Sequence, residues 1–122
     1  MTYCAPNSRD RPLWIHCMTT KPGEVYMVDL GIKGKVRPMV VVSRKDPDAP
    51  RALSLCVPLT TSYRESEYEV DIGKLRFLHQ SSYANVQGLQ AIQHHELRGP
   101  IGRLSKEALS AIRQALAVTL EL

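Results

Sequence analysis

The stretch Lys35-Val36-Arg37-Pro38-Met39-Val40-Val41-Val42 joins a basic segment to an almost continuous apolar run. Residues 38–42 predict a strand buried on both faces, because a short apolar run bounded by turn residues is typical of such strands. Pro38 is expected at the first residue of this strand, since proline has no N–H to donate to a ladder. The chain is therefore expected to be built around a small buried sheet.

Further strand-forming segments lie on both sides of this run, rich in β-formers or alternating between polar and apolar residues. They are predicted at residues 24–30, 52–57, 68–72, 82–86, 89–92 and 101–103. Pro58 is expected to close the third strand, which covers residues 52–57. Closely spaced strands separated by glycine and proline turns predict a small antiparallel β-barrel.

Near the end of the chain the spacing of apolar residues changes, and the new spacing predicts one helix. Its apolar stripe recurs at spacings of three and four residues. The stripe consists of Leu109, Ile112, Leu116 and Leu120. Ser105 is a good N-cap for this helix, and Leu104 can pack onto Leu109 one turn in. The predicted fold is thus mainly β, a small antiparallel barrel with a C-terminal helix.

The size of the chain allows one domain. Its 122 residues suffice for a single modest core. Residues 1–17 show no period and predict a loose N-terminal extension, with the domain at 18–122 and Met18 as the hypothetical true start. No apolar run approaches the ~20 residues of a membrane helix, and no secretory signal is recognised, so no membrane partner is expected. The three cysteines are an odd number at irregular spacing, which favours a reducing cytoplasm.

Positive charge is concentrated around one loop system. The formal net charge is +4, and six of the basic residues lie between positions 33 and 51. Such a cluster is typical of a groove that follows a phosphate backbone, although a solvated charged loop would carry the same residues. No residue spacing typical of a zinc site is present, so neither a metal nor a cofactor is predicted.

Arg37 is the leading candidate for phosphate binding. Pro38 restricts the residue before it to an extended backbone, which fixes Arg37 at a strand mouth. A guanidinium held there can bind a phosphate through two hydrogen bonds. The alternative is a surface arginine that happens to precede a strand.

Three consecutive hydroxyl residues, Thr60-Thr61-Ser62, come as the third strand ends. Hydroxyls at such positions can orient a phosphate oxygen, or can simply bond their own backbone. His79 is a weaker catalytic candidate. The tyrosines at 63, 68 and 83 can stack nucleobases, or simply pack.

Several segments, taken in chain order, resemble the MazF/PemK toxin family. They are residues 24–30, 35–43, 57–62, 82–92 and 101–105. The resemblance covers about residues 21–122. It implies a sequence-specific endoribonuclease with an SH3-like barrel of the CcdB/MazF/PemK type, usually a homodimer, held inactive by a cognate antitoxin. It also implies cleavage of single-stranded RNA without a metal, by the RNA's own 2′-OH, giving a 2′,3′-cyclic phosphate and a 5′-OH.

The resemblance also assigns residues. The family's arginine before the strand proline falls on Arg37, and its hydroxyl residue falls on Thr60, so these two are expected to be catalytic. Substrate binding is expected from polar residues around them: Lys33, Lys35, Thr61, Ser62, His79, Gln87 and Gln90.

The chain departs from the family pattern at residues 87–91. Many members have an arginine and a threonine where this chain has Gln90 and Ala91, which removes a charge and a hydroxyl from the RNA-binding side. This chain is therefore not expected to share the RNA sequence preference of those members. Two other functions stay open: a non-catalytic gyrase inhibitor on the same barrel, and a plain nucleic-acid-binding barrel.

Overall fold

The computed structural model describes residues 19–29 and 35–122. Its elements, in chain order, are β1 Glu24–Asp29, β2 Val36–Val41, β3 Leu53–Thr60, β4 Glu69–Lys74, β5 Ser81–Asn85, β6 Gln90–Gln93, β7 Leu97–Arg103 and α1 Lys106–Leu120. Single 3₁₀ turns lie at Val86–Gly88 and His94–Glu96. The predicted N-terminal extension, the proposed start at Met18 and the candidate Lys33 lie outside the described residues.

The strands form one antiparallel sheet. Their order is β4-β5-β3-β2-β1-β7, and β6 also pairs with β3. The prediction of an antiparallel barrel-like sheet with a C-terminal helix is confirmed. Within the described ranges the two end strands, β4 and β7, do not pair with each other, so the barrel is open.

Strand β3 organises the sheet because it changes partner along its length. Residues 53–56 pair with β6, whereas Leu59 and Thr60 pair with β5. Pro58 lies between these two ladders, where a missing N–H costs no hydrogen bond on that side. The expectation that Pro58 closes the strand was therefore wrong, and β3 runs on to Thr60.

Strand β2 begins earlier than predicted, at Val36, and Pro38 is its third residue. Pro38 pairs with Met27 of β1, while the ladder to β3 begins only at Met39. At Pro38 the strand has a ladder partner on one side, which is where a sheet tolerates proline. Arg37 is consequently part of the strand and not of the loop before it.

The sheet buries apolar residues on both faces, in two clusters. One face packs Val25, Val40 and Val57 against Ile112 and Leu116 of α1. The other face holds a separate cluster, composed of Tyr26, Val28, Met39, Val41, Cys56, Ile92 and Leu97. This two-sided burial agrees with the continuous apolar run predicted for β2.

Helix α1 begins where the sequence predicts. The Ser105 hydroxyl accepts a hydrogen bond from the Ala108 N–H at 3.1 Å, which satisfies a free N–H of the first turn. Ile112 and Leu116 are buried as expected, but Leu120 is 51% exposed. Leu120 is the last residue of the helix, and its exposure shows that its assignment to the packed stripe was wrong.

Of the elements in the described ranges, no helix has the length and apolar character needed to cross a membrane.

Candidate functional site

A cavity of about 420 Å³ opens where β2 begins and β3 ends. It is lined by Lys35, Val36, Arg37, Pro38, Leu59, Thr60, Thr61, Leu78, His79, Gln80 and Ser82. Cationic side chains and hydroxyl groups supply its polar surface, and no carboxylate belongs to this lining as far as the chain is described. The electrostatics of the cavity therefore favour an anionic ligand.

A second cavity of about 460 Å³ lies beside the first. It is lined by Arg37, Pro58, Leu59, Thr60, Ser62, Arg64, Ser66, Glu69, Asn85 and Gln87. The two cavities share Arg37, Leu59 and Thr60. The two cavities therefore adjoin and form one groove, and Arg37 and Thr60, called the ridge below, lie where they meet. A chain-like ligand lying in the groove would pass both residues.

The strand register explains why Arg37 and Thr60 meet. Met39 pairs with Pro58, and Val40 pairs with Val57. Extending this antiparallel register by two residues brings Arg37 opposite Thr60. Because opposed residues of adjacent strands direct their side chains to the same face, both point toward the groove.

The Thr60 hydroxyl is oriented by the turn that follows it. Its oxygen accepts a hydrogen bond from the Ser62 N–H at 3.1 Å. A threonine hydroxyl has one proton and two lone pairs, so this bond leaves the proton of Thr60 to donate to a ligand. The end of β3 therefore presents a hydroxyl donor to the same two cavities that Arg37 lines.

Glu69 holds the loop that borders the second cavity. Its carboxylate accepts hydrogen bonds from the Arg64 N–H at 3.0 and 3.1 Å, from the Ser66 N–H at 3.1 Å and from the Ser66 hydroxyl at 2.9 Å. Burial opposes ionisation of Glu69, but these hydrogen bonds and the charge of Arg64 outweigh it and lower the pKa of the carboxyl. Glu69 is therefore an ionised anchor for the loop.

Most of the residues expected to bind substrate lie around this groove. Lys35, Thr61 and His79 line the first cavity, and Ser62 and Gln87 line the second. Gln90 does not line either cavity. It is exposed on β6 opposite Cys56, four residues before Thr60 on β3, which is about 13 Å along a strand.

The sequence did not reveal four polar residues of the second cavity: Arg64, Ser66, Glu69 and Asn85. Asn85 accepts a hydrogen bond from the Gln87 N–H at 3.2 Å and caps the 3₁₀ turn beside Pro58. An asparagine three residues before a turn glycine, Gly88, was a usable signal for that cap. Neither Arg64 nor Glu69 carried a comparable signal, because their roles depend on contacts across the loop.

Other reactive side chains lie elsewhere and are engaged in structure. Burial raises the pKa of the Cys56 thiol to about 12, so it is not a nucleophile at neutral pH. Thr20, Ser54 and His94 form a hydrogen-bonded chain, with 2.7 Å between the two hydroxyl oxygens and 2.8 Å from Ser54 Oγ to His94 Nε2. Ser54 is buried, so this chain braces β3. Across the described residues no group of three or more histidine, cysteine, aspartate or glutamate side chains is arranged to hold a metal ion.

Comparison with known proteins gives consistent matches. The family model described as "PemK-like, MazF-like toxin of type II toxin-antitoxin system" matches residues 21–120. An endoribonuclease from a Mycobacterial species, solved in complex with its cognate antitoxin, is 28% identical with a TM-score of 0.73, covering 84% of this chain and 96% of that one. A second endoribonuclease from a Mycobacterial species is 27% identical with a TM-score of 0.71, covering 84% and 92%.

A more distant structure, MazF from Deinococcus radiodurans, is 13% identical with a TM-score of 0.72, covering 86% of this chain and 99% of that chain. At this identity the likeness concerns the fold. Comparison with curated protein sequences finds no significant match.

Proposed function

The chain belongs to the PemK-like, MazF-like toxin family of type II toxin–antitoxin systems, and we propose that it cleaves single-stranded RNA with Arg37 and Thr60 as its catalytic residues. The observation that carries this proposal is the shared position of the two side chains. They form the ridge common to both cavities of a groove whose described lining holds three cations, Lys35, Arg37 and Arg64, and one carboxylate, Glu69. The similar Mycobacterial proteins are endoribonucleases, which supports the same activity here.

A backbone phosphate is the group that fits this ridge. The Arg37 guanidinium can donate two parallel hydrogen bonds to the non-bridging oxygens, and its charge persists at any physiological pH. The Thr60 hydroxyl donates to the same phosphoryl group from the opposing strand. Lys35 and Arg64 lie on either side of the ridge and attract the phosphates before and after it.

The reaction follows from this arrangement. The 2′-oxygen of the ribose attacks the adjacent phosphorus and loses its proton, while the bond from phosphorus to the 5′-oxygen of the next nucleotide breaks. The departing 5′-oxygen takes up a proton, so the products are a 2′,3′-cyclic phosphate and a 5′-OH.

Arg37 and Thr60 lower the barrier by aligning the backbone and stabilising the charge that grows on the phosphoryl oxygens. Such a positioned donor contributes a factor of about 10²–10³ in rate. The nucleophile belongs to the RNA, and we propose that no metal takes part.

His79 lines the cavity that holds Arg37 and Thr60. Arginine is a poor base at neutral pH, whereas imidazole can both accept and donate a proton. We therefore propose that His79 binds the RNA beside the reacting phosphate and is the side chain best situated to exchange protons there.

We also propose a cognate antitoxin as the partner that controls the activity. An extended acidic segment would fit the groove because its carboxylates would replace the phosphates of RNA beside Lys35, Arg37 and Arg64. One of the similar Mycobacterial endoribonucleases was solved in complex with its cognate antitoxin, which supports a partner of this kind here. The site of action is proposed to be the cytoplasm, where messenger RNA is available.

A homodimer is the proposed assembly. Apolar side chains at the start of β3, Leu53 and Leu55, are 39% and 44% exposed, and Val118 and Leu120 of α1 are 66% and 51% exposed. Covering such residues is a common reason for a small domain to self-associate. Sedimentation equilibrium of the purified chain tests this assembly.

The activity is tested by incubating the purified chain with a long single-stranded RNA in EDTA. Discrete fragments with 5′-OH ends, lost in Arg37→Ala, are expected. Intact RNA at high protein concentration would overturn the proposal. The same assay separates the alternatives, since a nucleic-acid-binding barrel would retard RNA without cutting it, and a gyrase inhibitor would trap cleaved DNA.

A further inference from the structure

Two tyrosine rings are stacked next to the groove. The ring centroids of Tyr63 and Tyr83 are 4.5 Å apart, and the ring planes differ by 8°. Tyr83 lies on β5, whereas Tyr63 belongs to the loop between β3 and β4. The pair therefore joins a rigid strand to the loop that follows the hydroxyl residues.

The strand register puts this pair beside Thr60. Tyr83 is directly opposite Thr60 in the β3–β5 ladder. Opposed residues on antiparallel strands have their Cβ atoms about 4.5–5.5 Å apart and share one face of the sheet. The tyrosines consequently lie on the face that also carries the phosphate-binding ridge.

Tyr63 stays largely exposed in spite of the stack. Tyr83 covers one face of its ring, yet 50% of the residue remains exposed, which leaves the outer face as the side on which a further ring can stack. An exposed aromatic ring contributes little to the stability of the fold, because its apolar surface is left in water. The ring is well suited to accept a third flat group on its outer side.

The loop that carries Tyr63 is held in advance of binding. The next residue, Arg64, donates its N–H to both carboxylate oxygens of Glu69, and Ser66 donates its N–H and its hydroxyl to the same carboxylate. Because the loop is already ordered, less of its conformational entropy is lost when a ligand stacks on Tyr63.

We propose that the Tyr63–Tyr83 pair is a nucleobase subsite, in which the base next to the cleaved phosphate stacks on the outer face of Tyr63. This inference rests on the proposed ribonuclease function. Base stacking on an aromatic ring tolerates all four bases, so the subsite contributes affinity and backbone placement more than base choice. It adds an aromatic base contact to a groove whose described lining contains no aromatic ring other than the imidazole of His79.

The test uses a single-stranded RNA dodecamer made uncleavable by 2′-O-methyl groups, with binding measured by fluorescence anisotropy. Tyr63→Ala should weaken binding about 10-fold, the range expected for the loss of one stacked base. Tyr63→Phe and Tyr63→Trp should bind within about 2-fold of the wild type, because stacking needs the ring and not the hydroxyl. Gln114→Ala, an exposed residue on α1, is the control and should bind as the wild type does.

A second set of dodecamers, each with one abasic nucleotide, locates the subsite. The wild type should lose affinity at one abasic position, and Tyr63→Ala should be insensitive at that same position. Equal binding of intact RNA by Tyr63→Ala and the wild type would overturn the stacking proposal, as would a weakened Tyr63→Phe. If the wild type cuts unmodified RNA while Tyr63→Ala binds normally, only this inference fails. If the wild type neither binds nor cuts RNA, the proposed function fails with it.

Discussion

Arg37 of β2 and Thr60 of β3 lie on adjacent antiparallel strands and together line both cavities of the groove. The relationship depends on β3 continuing past Pro58, because a strand that ended at Val57 would not carry Thr60 to the ridge. A change in partner strand at Pro58 therefore determines where the candidate site forms.

Arg37→Ala should lower kcat/KM for RNA cleavage by about 10²–10³, since it removes the fixed donor to the phosphoryl oxygens. Arg37→Lys should be intermediate, because an ammonium keeps the charge but loses the two-pronged geometry. The side chain is exposed, so the melting temperature should not change. Arg113→Ala removes the same charge from α1 and should cleave normally; equal activity of Arg37→Ala and Arg113→Ala would exclude Arg37 from catalysis.

Thr60→Val should reduce kcat by about 10²-fold while changing KM little, because valine keeps the shape of threonine and lacks the donor. Thr60→Ser should stay within a few-fold of the wild type, since it preserves both the donated proton and the acceptor for the Ser62 N–H. Steady-state kinetics on a short labelled RNA measures both. A Thr60→Val enzyme as active as Thr60→Ser would show that the hydroxyl has no part in the reaction.

Glu69 should make the free energy of unfolding depend on pH in the acidic range. Its pKa is lowered in the folded protein from an ordinary value of 4.5, so the unfolded chain binds more protons in that range. The stabilisation is complete above about pH 5 and is lost as pH falls through the folded pKa. In urea titrations at several pH values, Glu69→Gln should be less stable than the wild type at pH 7, with the gap narrowing toward pH 3.

The matched control for this titration is Glu67→Gln, an exposed glutamate in the same loop. It should follow the wild-type pH dependence. A gap between wild type and Glu69→Gln that is constant from pH 7 to pH 3 would contradict the role given to the Glu69 carboxylate.

Gly102→Ala should destabilise the fold by about 1–3 kcal/mol, the usual cost of overpacking. A Cβ at this position would clash with the Phe77 ring, which packs against the core. The urea midpoint measures the loss. Adding Phe77→Leu should recover part of it, because the smaller side chain makes room; strictly additive effects of the two changes would argue against this contact.

The sequence predicted well those features that depend on local pattern. The β-forming runs, the apolar stripe at Ile112 and Leu116, and the Ser105 cap follow from periodicity and capping chemistry within a few residues. Pro38 and Pro58 were misjudged because a proline is tolerated wherever one side of its strand has no partner, and the partner is set by distant residues.

The same limit applied to the site. Arg37 and the hydroxyl residues stood out from residue type and position, as did the nearby His79. The carboxylate of Glu69 holding Arg64 and Ser66, and the stacking of Tyr63 on Tyr83, arise from contacts between a loop and two strands. Residue spacing alone contains no signal for these contacts.

The claim that the RNA supplies its own nucleophile is tested most directly by one atom of the substrate. The cleaved bond in a short RNA is mapped first, and the nucleotide on its 5′ side is then replaced by its 2′-deoxy form. The modified RNA is incubated with the wild-type protein in EDTA. Cleavage at that bond should fall to background while binding stays within about 2-fold, and the unmodified RNA should yield a 2′,3′-cyclic phosphate. Cleavage of the 2′-deoxy substrate at an unchanged rate, or products that carry a 5′-phosphate, would contradict the account.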